Sequence, residues 1–462
     1  MVKSEALSEL IRKDLKFVWH PAAQMKDYES YPPVAVVRGE GSYLITEDGK
    51  RILDIVSSWW CNLLGHCNQE ISDALAKQAK TLEHVIFADL THPLVVQLAE
   101  ELLKIVPSGL CRFNFADNGS SAVEMALKMA FQYQAQSGHP ERIRFACLSG
   151  GYHGETIGAL SVGSLDLYSK LYKPMMMDNI HINAPDCFRC HCGCKRNQCD
   201  CACLGDARKV FETYGKELCA VIVEPLLQGA AGMRIYPEAY LAGLRSLCDR
   251  YGVLLIADEI ATGFGRTGEM FACNKAKISP DLMCLSKALT GGYMPMSVVC
   301  TTDEIYQAFY ADYGQHRAFV HSHTYAGNPL ACSCALKVIE ILKRDHILEH
   351  AAKKAKRLTK MFSSMANEVD EIGEVRHIGL IHAVELVTDR QSKKAFDPSL
   401  RIGFHIYRKA LNAGLLLRNI GDVLYFNPPL NVANEDLEKA VLIMKTCIKS
   451  ELALYKKTGT SR

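Results

Sequence analysis

The chain has 462 residues, 48% of them apolar and 23% charged, which is too long for one small core and suits two or three domains of a soluble type. A formal net charge of +2 excludes broad electrostatic attraction to nucleic acid or anionic lipid. The N-terminal MVKSEALSELIRKDLK alternates charged and apolar residues without a signal-peptide core, and no apolar run of about 18 residues occurs, so a cytoplasmic protein without a membrane span is expected.

In chain order, residues 34–54 (VAVVRGEGSYLITEDGKRILD) predict a hairpin-like segment with turns at Gly39–Gly41 and Asp48-Gly49. A helix is predicted over 121–136, where Val123, Ala126, Leu127, Ala130 and Phe131 share a face and Gly138 supplies a stop. Short apolar runs follow at 144–148 (RFACL), 220–224 (AVIVE), 253–257 (VLLIA), 283–286 (MCLS) and 296–300 (MSVVC). They read as strands of a mostly parallel sheet buried on both faces, with helices between them, which is an α/β domain. Residues 339–462 alternate amphipathic helices with GLIHAVELV, LLLR and VLYFN, an α+β pattern. The expected organisation is a small domain from 1–58 and 339–462 around a large domain over 59–338.

In open α/β sheets, ligands bind beyond the carboxyl ends of the strands. Asp258 follows VLLIA, Lys287 follows MCLS, and Tyr152 follows RFACL across Ser149-Gly150-Gly151. A carboxylate, an amine and an aromatic ring at three strand ends are what a pyridoxal site needs: a Schiff-base lysine, a partner for the pyridine nitrogen and a face to stack on. Asn118-Gly119-Ser120-Ser121 opens the predicted helix, where free N–H groups suit a phosphate. Each residue also has a plainer reading. Asn118 and the serines are ordinary caps, Lys287 a surface lysine, Tyr152 a core aromatic, His153 a hydrogen-bonded loop residue, and Trp59-Trp60 core or interface packing.

The stretches GYHGET (151–156), VEPLLQGAAGM (223–233), LLIADEIATGFGRTGEMFAC (254–273), LSKALTGGYMP (285–295) and HTYAGNPLAC (323–332) together resemble the class III, fold-type-I aminotransferases over essentially the whole chain. The resemblance implies pyridoxal 5'-phosphate (PLP) as cofactor, with Lys287 as Schiff-base lysine and Asp258 as pyridine partner. Tyr152 would stack, Gly119 and Ser120 would bind phosphate, and Glu224 would lie near the ring. It further implies a homodimer in which Thr324 reaches the neighbouring subunit's cofactor.

Within the class, VWHP (18–21), SSWW (57–60) and RNIGDVLYFNPPL (418–430) resemble the 8-amino-7-oxononanoate aminotransferases of biotin synthesis. That likeness implies Trp59 and Tyr152 as pocket walls, Arg418 as the carboxylate partner, Ser322 as a further substrate-pocket residue, and Arg266 as either a pocket residue or a support behind the pocket. Ala22, Glu155 and Ser322-His323 depart from the best-known form. They leave the donor open between S-adenosylmethionine and lysine, with lysine the first candidate. The alternatives are another class III omega-aminotransferase acting on a different terminal amine, or a PLP-dependent mutase.

Scattered cysteines such as Cys147, Cys219, Cys284 and Cys300 read as small buried hydrophobes. Seven more, Cys187, Cys190, Cys192, Cys194, Cys199, Cys201 and Cys203, fall within 17 residues and are interleaved with His191, Lys195 and Arg196. That segment is expected to be a surface excursion too polar for core. It is either a structural zinc or iron–sulfur site or a loop of reduced thiols.

Overall fold

In the computed structural model, residues 7–194 and 198–459 are described, so Lys195 and Arg196 lie outside the described residues. The centre is a seven-stranded sheet of order Leu110–Ala116, Ser297–Thr302, Leu282–Leu285, Leu254–Asp258, Leu218–Val223, Arg144–Leu148 and Ile180–Ile182. Its strands are β4 (Leu110–Ala116), β5 (Arg144–Leu148), β6 (Ile180–Ile182), β7 (Leu218–Val223), β10 (Leu254–Asp258), β11 (Leu282–Leu285) and β12 (Ser297–Thr302).

The apolar runs exist because both faces of these strands are covered. Side chains alternate across a strand. Ala146, Leu148, Val221, Val223, Leu255, Ala257, Met283 and Leu285 therefore enter one core. Phe145, Cys147, Ala220, Ile222, Leu254, Ile256, Leu282 and Cys284 enter a second core, under the helix Gly119–Gln136. Cys147, Cys219, Cys284 and Cys300 are all fully buried, as expected of small hydrophobes.

β10 is parallel to β7 and β11, and β5 is parallel to β6 and β7. β12 is antiparallel to both β11 and β4. An apolar run such as MSVVC carries no sign of strand direction, because either direction buries it equally. β4 escaped the sequence pattern. Its LCRFNFA is interrupted by Arg112 and Asn114, and Cys111 and Arg112 are exposed because the strand lies at the sheet edge.

At the N-terminus, β1 (Val36–Glu40), β2 (Tyr43–Thr46) and β3 (Arg51–Asp54) form an antiparallel meander, with Gly41 and Gly49 at positive φ in its turns. β15 (Leu415–Leu416) adds to β3 in parallel, which joins early and late segments in one sheet. A further antiparallel sheet, β13-β14-β17-β16, holds β13 (Ile372–Ile378), β14 (Ile381–Leu386), β16 (Arg418–Ile420) and β17 (Val423–Phe426). Helices Ile347–Glu368 and Asn434–Thr458 accompany it. Among the described residues no helix is long and apolar enough to cross a membrane.

Candidate functional site

Lys287, Asp258, Tyr152, Glu224, Gly119 and Ser120 line one cavity of about 510 Å³ at the carboxyl ends of β5, β7, β10 and β11. Asp258 closes β10 and is buried. His153 Nδ1 donates to Asp258 Oδ2 at 2.7 Å, since a carboxylate can only accept, and Ile260 N donates to Oδ1 at 3.1 Å. His153 is thus the residue that orients Asp258, a buried link that adjacency to Tyr152 in sequence could not reveal.

Lys287 follows β11 with φ of 44°, and its Nζ lies 4.6 Å from the centre of the Trp60 ring. Loss of water around the amine lowers its pKa, against the pull of the Asp258 and Glu224 carboxylates. Glu224 Oε2 accepts from Tyr152 N at 3.1 Å and Oε1 from Gly229 N at 3.0 Å. Burial first, with Asp258 adding and His153 opposing, pushes Glu224 up to about 7. The Tyr152 hydroxyl donates to Glu155 at 3.0 Å; burial, then that carboxylate, hold its phenol well above the ordinary range.

The helix Gly119–Gln136 starts at the cavity, capped by Asn118 Oδ1 accepting from Ser121 N at 3.1 Å. Ser120 Oγ accepts from Glu155 N at 3.0 Å, which ties the helix start to the GYHGET loop. A Cβ at Gly154, where φ is +120°, would sit 1.9 Å from that Oγ and 3.1 Å from Ser120 Cα. Gly154→Ala is therefore expected to destabilise the fold by roughly 2 kcal/mol or more through strain and displacement of Ser120. A thermal midpoint and PLP retention equal to wild type would refute it.

The SSWW segment is not ordinary helix. Ser57, Ser58, Trp59 and Trp60 all have positive φ, at 52°, 45°, 81° and 73°. Left-handed backbone disfavours each by about 1–2 kcal/mol, so the turn persists only because surrounding bonds fix it. Ser57 Oγ donates to Asn427 O at 2.7 Å, Ser58 Oγ to Asp54 Oδ2 at 2.6 Å, and Trp60 Nε1 to Tyr425 OH at 3.1 Å. The result is Trp60 against Lys287 and Trp59 turned outward to line both this cavity and an adjoining one of about 640 Å³. Trp60 is therefore more than the packing residue its sequence suggested.

Arg418 lines the adjoining cavity, its Cζ 5.6 Å from the ring centres of Trp59 and Tyr407. Among the described residues no carboxylate pairs with it. Tyr168 and Tyr425 also line this space and lay outside the sequence-derived set, because neither carries a spacing or charge signal of its own.

Two expectations are narrowed. Arg266 does not line the cavity. It is buried, and its guanidinium is spent on the carbonyls of Pro428 (2.5 Å), Trp60 (3.2 Å) and Asn62 (3.1 Å), with burial pushing it down to about 10. It braces the Trp60 turn. The cysteine-rich segment is not uniformly surface either: Cys201 and Cys203 are buried in the main core. Ser322 and Thr324 are exposed before helix Pro329–Arg344 and line no part of this chain's cavity.

The residues present fit PLP. An amine and a buried carboxylate share one cavity with an aromatic ring, and a helix N-terminus beginning at a glycine opens into it. A Cβ at Gly119 would press on the Ile260 side chain at 3.0 Å, which would have to give way for any larger residue.

Comparison with known proteins agrees. The family described as aminotransferase class-III matches residues 24–448. The adenosylmethionine-8-amino-7-oxononanoate aminotransferase of Geobacter sulfurreducens is 42% identical over 92% of this chain and 94% of its own. The crystal structure of the Methanocaldococcus jannaschii protein of that name superimposes with a TM-score of 0.90 at 36% identity, covering 96% of this chain and 98% of that one. An omega transaminase from Pseudomonas jessenii, in complex with PMP, superimposes with a TM-score of 0.91 at 28% identity over 96% and 98%. The chain belongs to the class III aminotransferases and is a PLP-dependent enzyme of that family.

Proposed function

We propose that the enzyme transfers an amino group to 8-amino-7-oxononanoate, giving 7,8-diaminononanoate in biotin synthesis. The observation that carries this reading is Arg418: a guanidinium near the Trp59 ring, with no carboxylate partner among the described residues, one cavity away from the Lys287 amine. That is where the carboxylate of a keto substrate would be held while its ketone meets the amine end of the site. The relatives named for this substrate, near 40% identity over nearly the full chain, support it.

PLP, when bound, supplies the electron sink that lets nitrogen leave one carbon and join another. Asp258, oriented by His153, holds a proton at the ring nitrogen. Lys287, its amine favoured neutral by burial, carries a proton between the substrate carbon and the cofactor side of the cavity. Tyr152 and Trp59 wall the reacting carbons. Gly119 and Ser120 offer N–H groups to phosphate, and Glu224 fixes the Tyr152 backbone. Thr324 and Ser322 would complete the site from the partner in a homodimer.

The donor we propose is S-adenosylmethionine, for which the relatives are named, in place of the lysine favoured by Ala22 and Ser322-His323. The omega-transaminase likeness keeps a different terminal amine as the second reading. Nothing in the site favours a mutase.

Arg418→Ala is expected to raise the apparent KM for 8-amino-7-oxononanoate roughly tenfold to a hundredfold, the value of one charge-assisted contact. The donor half-reaction should change less. Single-turnover measurements of each half-reaction decide this, and equal damage to both would make Arg418 a shared or structural residue.

A further inference from the structure

The cysteine-rich excursion has no part in the site just described, since none of its residues lines that cavity. Its ends are nevertheless well anchored. Asp186 Oδ1 accepts from Phe188 N at 2.9 Å and Arg189 N at 2.8 Å. Arg189 pairs with Glu385 on β14 and donates to Lys393 O at 3.0 Å, and Lys393 Nζ donates to Phe188 O at 2.5 Å. At the other end, Cys201 and Cys203 are packed in the core at the start of helix Leu204–Tyr214, and His191 bonds Asp206 at 3.0 Å. The excursion thus spans from the central sheet to β14.

Between those anchors, the Sγ atoms of Cys194 and Cys199 and a carboxylate oxygen of Asp200 all lie within 4.8 Å of one another. In a tetrahedral zinc site, with Zn–S near 2.3 Å and Zn–O near 2.0 Å, neighbouring ligand atoms stand roughly 3.5–3.8 Å apart. Closing these three around an ion needs shifts of about 1 Å, within the reach of single side-chain rotations. A fourth ligand is at hand. Gly193, at φ of 71°, turns the chain so that its N–H bonds Cys190 O at 3.0 Å, which brings Cys190 back against the start of this cluster.

We propose that Cys194, Cys199 and Asp200, with Cys190 as the fourth ligand, bind one soft divalent cation, zinc in the cell, which staples the excursion between the central sheet and β14. Thiolate ligands select zinc over magnesium or calcium. Up to three thiolates and a carboxylate brought together are costly unless a cation neutralises them. The role is structural, because the ligand set leaves no open position for substrate.

The test uses full-length holoenzyme, purified anaerobically, incubated with zinc, desalted and analysed for metal. About one zinc per chain is expected in wild type, close to none in Cys194→Ser/Cys199→Ser, and full content in Cys111→Ser, whose cysteine is exposed elsewhere. Cadmium titration should give a thiolate-to-metal ultraviolet band saturating at about one ion per chain in wild type only. Zinc should also raise the thermal midpoint of wild type, while kcat stays within about twofold. Should the double variant fail to fold, Asp200→Ala and Cys190→Ser are each expected to weaken zinc binding at least about tenfold. No retained zinc in wild type, equal zinc in the double variant, or unchanged affinity in both single variants would overturn the proposal.

Discussion

Lys287→Ala is expected to abolish turnover and to remove the visible absorbance band of a lysine-linked cofactor, while far-ultraviolet circular dichroism stays that of the wild type. Its amine lines the cavity with Asp258 and Glu224, and among the described residues no other lysine lines that cavity. The fold should survive. Alanine tolerates the positive φ at this position about as well as lysine does. What is removed is a desolvated amine whose burial already disfavours its charge, together with one contact to the Trp60 ring. Retention of the visible band, or of measurable turnover, in dialysed variant protein would sink the assignment.

Asp258→Asn is expected to leave PLP bound in stoichiometric amount and to lower kcat about a thousandfold, or roughly 4 kcal/mol in barrier. Asparagine preserves the shape, and its carbonyl can still accept from Ile260 N, as Oδ1 does now at 3.1 Å. It cannot supply the negative charge that keeps a proton on a ring nitrogen. His153 loses its charged acceptor at the same time. His153→Ala should therefore be milder than Asp258→Asn, since it removes the orienting group and keeps the charge. A near-normal kcat with bound cofactor in Asp258→Asn would show that this carboxylate is structural.

How much of this was legible beforehand follows from where each signal resides. The strand runs were readable because both sheet faces are buried, so every position of VLLIA, and of MCLS up to Leu285, had to be apolar. Asp258 and Lys287 stood out because each ends or follows such a run, where a charged group has no packing reason to be. The helix start at Gly119 was readable from its cap, Asn118, which local hydrogen bonding dictates. The family, too, was legible in its motifs, because the residues that hold a cofactor are contiguous in those loops.

Only the folded chain decided the rest. β12 runs antiparallel because of how its connections return, and composition is blind to direction. Arg266 looked like a pocket residue within GFGRTG, yet tertiary contacts spend it on three carbonyls more than 160 residues away along the chain or beyond. His153 became the partner of Asp258 across 105 residues. The left-handed Ser57–Trp60 turn, strained by itself, exists because Asn427, Tyr425 and Asp54 over-determine it. Short-range chemistry, such as caps, apolar alternation and a charge at a strand end, is written in the order of residues. Partners brought together from distant segments are fixed only when the sheet and its cores close, because burial and not sequence spacing then sets which polar group meets which.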